Sequence, residues 1–169
     1  RTIGAHLRSQ SEPKTDSHNN TWQPVYGERS EVADRYNQLQ LDFVDEVSGH
    51  EVQVEFRCYD AGVAFRTKLV ASKTDPRIHI TEERSEFRFL ADHTAWCAQR
   101  AQDRYFSRRL SEVKGPIERP LTIELADQLY AVVAEAALVD YSVMYLRRAE
   151  QDPLCIVSHL GGDVRADGN

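Results

Sequence analysis

The 169-residue chain is long enough for one domain with one core. Its 41% hydrophobic and 28% charged residues are a globular composition, and its formal charge of -6 argues against a phosphate-backbone partner. No window approaches the roughly 18 apolar residues of a membrane span.

In chain order, residues 1–21 are polar, and "SQSEPKTDSHNNT" from Ser9 to Thr21 reads as the most loop-like segment. Asn19-Asn20-Thr21 matches a glycosylation sequon and is read as a chance match. From Tyr36 a period of two begins. Leu39, Leu41 and Phe43 alternate with Gln38, Gln40 and Asp42; Val52, Val54, Phe56 and Cys58 alternate with Glu51, Gln53, Glu55 and Arg57. Val63, Phe65, Thr67 and Leu69 alternate with Ala64, Arg66 and Lys68. These predict three half-buried strands, joined at Ser48-Gly49-His50 and at Tyr59-Asp60-Ala61-Gly62. The apolar faces set the register of the second hairpin: Cys58 opposite Val63, Phe56 opposite Phe65, and Glu55 opposite Arg66 on the other face.

Further strands are predicted at Ile78–Ile80, Phe87–Phe89, Leu121–Leu125 and around Tyr130–Ala134. Between them, Thr94–Lys114 shows no clear alternation and reads as an irregular loop or a short helix. Many short strands and little helical periodicity predict a mainly β chain, an antiparallel sandwich. The segment from Ala131 to Arg148 satisfies two patterns. By propensity it is a buried helix; as a strand it turns Ala131, Val133 and Glu135 to one face and Val132 and Ala134 to the other.

The three cysteines, Cys58, Cys97 and Cys155, are widely spaced and include no C-x-x-C, so neither a disulfide framework nor a zinc site is expected. His93 lies four residues before Cys97 without a second ligand pair. The start at Arg1 and the closing "GGDVRADGN" predict a piece of a longer polypeptide, without its export signal and most of its active site. Within "VAEAALVDYSVMYL", Val133–Leu146, Glu135 stands alone in an apolar run, and a carboxylate so placed needs a partner or a cation.

Five stretches carry a resemblance. "EFRCYDAGVAFRTKL" (Glu55–Leu69) resembles the F-R-x-Y-D-D-G-V-A-F-R-Y hairpin of glycoside hydrolase family 97, the α-glucosidases and α-galactosidases. "WQPVYGERSEVADRYNQL" (Trp22–Leu39), "YFSRRLSEV" (Tyr105–Val113), "PLTIEL" (Pro120–Leu125) and "AEAALVDYSVMYL" (Ala134–Leu146) are similar, in the same order, to other segments of that family. The resemblance implies the N-terminal β-sandwich of such an enzyme, a galactose-mutarotase-like supersandwich incomplete at both ends. The (β/α)8 barrel with its two catalytic carboxyl groups would lie outside residues 1–169, leaving no catalytic residue in this fragment. It implies a calcium ion beside the substrate, with Glu135, in an extended segment, as the one ligand from the sandwich and the rest from the barrel. It also implies an α-glycoside substrate, a barrel partner and export to a bacterial periplasm or surface.

Departures from the family pattern are Ala134 for histidine or another polar residue, Gln38 for glutamate, Ala61 for aspartate and Thr67 for tyrosine. A free-standing carbohydrate-binding sandwich and a structural β-domain are the rival readings. Trp22 and Trp96 are sugar-stacking candidates, read as packing residues. Arg57 and Arg66 are expected to bridge carboxylates, Asp140 and Tyr141 to form a structural hydrogen bond, and Arg100, Arg104, Arg108 and Arg109 to make a solvated or interdomain face.

Overall fold

The alternation from Tyr36 onward yields the longest strand of the protein. A computed structural model describes residues 2–70, 78–139 and 141–161 and contains strands and a single 3₁₀ turn among them. The strands are β1 (Leu7–Ser9), β2 (Lys14–Trp22), β3 (Val32–Asp45), β4 (Glu51–Tyr59), β5 (Gly62–Val70) and β6 (Glu86–Arg88). They continue with β7 (Thr94–Cys97), β8 (Phe106–Arg109), β9 (Leu121–Ala126), β10 (Leu129–Val133), β11 (Met144–Arg148) and β12 (Cys155–Leu160). The fold class is the mainly β, antiparallel sandwich that the alternation predicts.

The chain divides into two compact units, residues 1–78 and 79–169. The first is one antiparallel sheet in the order β1-β3-β4-β5, with β2 also on β3. β1 and β2 share one edge of β3, β2 along Val32–Gln40 and β1 along Phe43–Asp45. The β4–β5 register is the expected one: Cys58 opposite Val63, Phe56 opposite Phe65, Glu55 opposite Arg66.

Burial on this sheet departs from the expectation. Phe56, Cys58, Val63 and Phe65, on the apolar face, are exposed, whereas Glu55 on the polar face is 6% exposed. The apolar face is closed around Val52, 3% exposed, and open toward the β4–β5 turn. The polar face is screened instead by long side chains: Arg66 and Lys68 lie over the Glu55 carboxylate, with Lys68 Nζ at 2.7 Å.

The second unit holds two sheets, β10-β9-β7-β8 and β11-β12-β6. One buried cluster draws on both: Ala95 and Cys97 from β7, Leu121 and Ile123 from β9, Leu146 from β11 and Ile156 from β12. This is sandwich packing.

Several predicted elements are corrected. The loop expected over Ser9–Thr21 contains β2, paired along its whole length with β3. β2 is an edge strand with almost every residue exposed, so backbone hydrogen bonds and not apolar alternation define it. Thr94–Lys114 is neither plain loop nor short α-helix. It holds β7, β8 and the 3₁₀ turn Leu110–Glu112. Its inward residues on β7 are Ala95 and Cys97, too small to mark a period by eye. Ile78–Ile80 forms no strand, and Ile80 is exposed. The strands foreseen at Phe87–Phe89 and Tyr130–Ala134 each begin one residue earlier. Ala131–Arg148 is not one helix: β10 ends at Val133 and β11 opens at Met144.

Candidate functional site

β9 and β10 form a hairpin whose register pairs Leu121 with Val133 at its open end. Arg119 lies two residues before β9 and Glu135 two residues after β10, both at that open end. The side chains meet: Arg119 Nε lies 3.2 Å from Glu135 Oε2. The same oxygen accepts the Met144 backbone N–H at 3.2 Å. Both side chains are mostly buried, Arg119 24% and Glu135 15% exposed. The chain beyond Glu135 turns sharply, with Ala137 at φ 50°, a left-handed conformation that disfavours a residue bearing a Cβ.

Arg119 is itself shared. Its Nη1 donates to Glu118 Oε2 at 2.9 Å. The backbone beneath is pinned: Glu118 N–H donates to Ala98 O at 2.8 Å, and Ile117 exchanges hydrogen bonds with Leu146 at 2.8 and 3.0 Å. Near this group, Tyr141 donates its hydroxyl to Glu83 Oε2 at 2.9 Å. Burial, then the Glu83 carboxylate, push that hydroxyl well above the ordinary tyrosine value, and the charge of Glu135 adds to the effect.

Glu135 therefore lies two residues past the end of β10, with its carboxylate held by the Met144 N–H and Arg119. Of the partner or cation that this carboxylate needs, the structure shows a partner, Arg119, beside Oε2. Both protein contacts fall on Oε2. Calcium takes six to eight hard oxygens, and among the described residues no group of three His, Cys, Asp or Glu is gathered. The Glu135 carboxylate is a hard oxygen donor of the kind calcium accepts, and it could supply one such ligand. Arg119 and Glu118 were missed from sequence. Their nearness to the start of β9, beside the end of β10, is the signal that could have found them.

The other candidates scatter. Trp22 ends β2 and is 52% exposed. Trp96 is half-buried on β7, its ring 6.1 Å from that of Tyr130. Arg57 lies 4.3 Å over the Tyr36 ring and donates to Gln38 at 3.0 Å, a packed position and not a carboxylate bridge. Arg66 does bridge a carboxylate, that of Glu55. Asp140 lies outside the described residues, while Tyr141 makes the hydrogen bond to Glu83. Of the arginine cluster, Arg100, Arg104 and Arg109 are exposed, Arg109 bonding the Asp92 carbonyl, and Arg108 packs 3.9 Å over Phe106. Cys97 is buried in the core, where desolvation pushes its thiol up, and His93 packs edge-on to Phe89.

The profile of the family described as Glycosyl-hydrolase 97 N-terminal matches residues 3–162. Among solved structures, the chain is similar to a Glycoside Hydrolase Family 97 enzyme from Pseudoalteromonas sp. strain K8 in complex with acarbose. The two are 26% identical with a TM-score of 0.81, over 94% of this chain and 26% of that one. A variant of that enzyme in complex with panose matches at the same identity, coverage and TM-score. A beta-arabinopyranosidase, 18% identical with a TM-score of 0.78, shares the fold over 96% of this chain and 28% of that one. The chain spans about a quarter of the length of these proteins.

Proposed function

Because the chain belongs to the Glycosyl-hydrolase 97 N-terminal family, we propose that it is the non-catalytic N-terminal domain of a calcium-dependent α-glycoside hydrolase. In this reading the parent enzyme is of α-glucosidase or α-galactosidase type and is exported to a bacterial periplasm or surface. The domain packs on a catalytic (β/α)8 barrel and contributes Glu135 as one calcium ligand. The two carboxyl groups that cleave the glycosidic bond belong to the barrel, whose strand ends are where such sites are built.

The observation that carries the reading is the fixation of Glu135. A ligand must be held before the ion arrives, and here the Met144 N–H holds one carboxylate oxygen just past the end of a paired hairpin. Calcium bound there would orient a sugar hydroxyl or stabilise charge developing at the bond being cut. The protein's own part is to place a hard oxygen and to keep the wall of the site rigid.

The Arg119 contact favours a second reading, in which Glu135 is a strut that closes the open end of the β9–β10 hairpin and touches no ion. Glu135→Gln in the full-length enzyme separates the two. If Glu135 is a ligand, hydrolysis of nitrophenyl α-glucoside or α-galactoside falls, and calcium affinity drops by at least the about 10–100-fold that outer partners alone carry. A strut would lower the melting temperature and leave rate and calcium dependence equal to wild type.

A further inference from the structure

Arg119 contacts two carboxylates unequally. Toward Glu118 it makes an aligned hydrogen bond of 2.9 Å; toward Glu135 it makes a charge contact of 3.2 Å from Nε. Glu118, like Glu135, has a side chain 15% exposed. A half-buried carboxylate without a counter-charge is costly, so Arg119 neutralises Glu135 when nothing else does. The arginine need not stay there, because releasing Glu135 leaves it bonded to Glu118 on a backbone pinned to Ala98 and Leu146.

We propose that Arg119 is the resident counter-ion of Glu135, competing with a divalent cation for that carboxylate, and that Glu118 retains the arginine when the cation takes its place. The proposal rests on the reading of Glu135 as a calcium ligand. Two cations within a few ångströms of one carboxylate repel each other in a partly desolvated site. The arginine therefore sets the concentration at which calcium binds, and the balance between Glu118 and Glu135 sets the strength of that competition.

The test is calorimetric titration of calcium chloride into the chelator-treated full-length protein. Arg119→Met removes the competing positive charge and is expected to tighten calcium binding by about 10-fold, while lowering the melting temperature without calcium. Arg119→Lys keeps the charge and is expected to bind calcium within a few-fold of wild type. Glu118→Gln leaves Arg119 to Glu135 alone and weakens binding. In the Arg119→Met background Glu118→Gln has no such effect, a coupling that a purely structural or through-space role of Glu118 would not produce.

Weaker or unchanged binding in Arg119→Met overturns the proposal, as does an equal effect of Glu118→Gln in both backgrounds. Glu135→Gln tells the two failures apart. If it abolishes binding while Arg119→Met fails to tighten it, only the counter-ion role is lost. If it leaves binding unchanged, the ligand reading and the counter-ion role fall together.

Discussion

Asp45, at the end of β3, is fully buried and accepts three backbone N–H groups, from Gly4 at 2.9 Å, Val47 at 3.2 Å and Ser48 at 2.7 Å. The Gly4 N–H, then the Ser48 hydroxyl and N–H, hold its carboxyl well below the ordinary aspartate value. A folded value below the unfolded one means that the charge stabilises the fold above about pH 4, and that this stability is lost as pH falls toward the folded value. Asp45→Asn is therefore expected to lower the melting temperature at pH 7, with the gap from wild type closing below about pH 4. A gap independent of pH would show that shape, not charge, is what Asp45 supplies. Asp45 and Glu135 differ in how visible they are in the sequence. Glu135 stands alone among Val, Ala and Leu, so its need for a partner is plain. Asp45 ends an alternating strand, and only the D-x-x-S-G spacing hints that its side chain caps the turn. The partner of Glu135 was hidden for another reason: Arg119 is sixteen positions away, and the two come together where the chain enters β9 and leaves β10.

β3, β4 and β5 could be read residue by residue because Val, Leu and Phe recur every second position and a one-residue slip would set them against charges. β2 and β7 could not. β2 owes its place to the free edge of β3, and β7 turns inward the small residues Ala95 and Cys97. The outer-face pairs of the β4–β5 hairpin are also more than decoration. Glu55 is nearly buried and accepts from Arg66 and from Lys68, the latter at 2.7 Å. Burial works to raise its carboxyl, and the hydrogen bonds from Arg66 and Lys68 outweigh it, so the net shift is downward. Arg66 and Lys68 are about half exposed, so solvent screens the pairs. Glu55→Gln is accordingly expected to cost about 1 kcal/mol, less than a fully buried pair would. The measurement is the urea midpoint, repeated in about 1 M salt, where the difference should shrink. No change at either ionic strength would reduce the triad to a surface ornament.

Across the whole molecule, buried apolar residues are unevenly distributed. Among the described residues, Val52 represents the first unit in the buried apolar set, and the rest, from Ala95 to Ile156, belong to the second. The first unit leaves Phe56, Val63 and Phe65 open, while the second closes Leu110, Leu121, Ile123, Leu146 and Ile156 completely. Local opening is resisted by the apolar contacts that must be broken, so the two units should differ in the free energy of opening. Hydrogen exchange of the protein is expected to find its slowest amides on β7, β9, β11 and β12, with β3, β4 and β5 exchanging first despite their longer ladders. The same asymmetry governs truncation. Leu146 is fully enclosed, and Leu146→Ala is expected to cost about 2–5 kcal/mol by lost transfer and cavity formation. Val63 is 66% exposed, and Val63→Ala should stay within about 0.5 kcal/mol. Equal losses for the two, or slowest exchange on β4, would mean that the open face of the first unit is covered in the protein by a surface these residues do not contain.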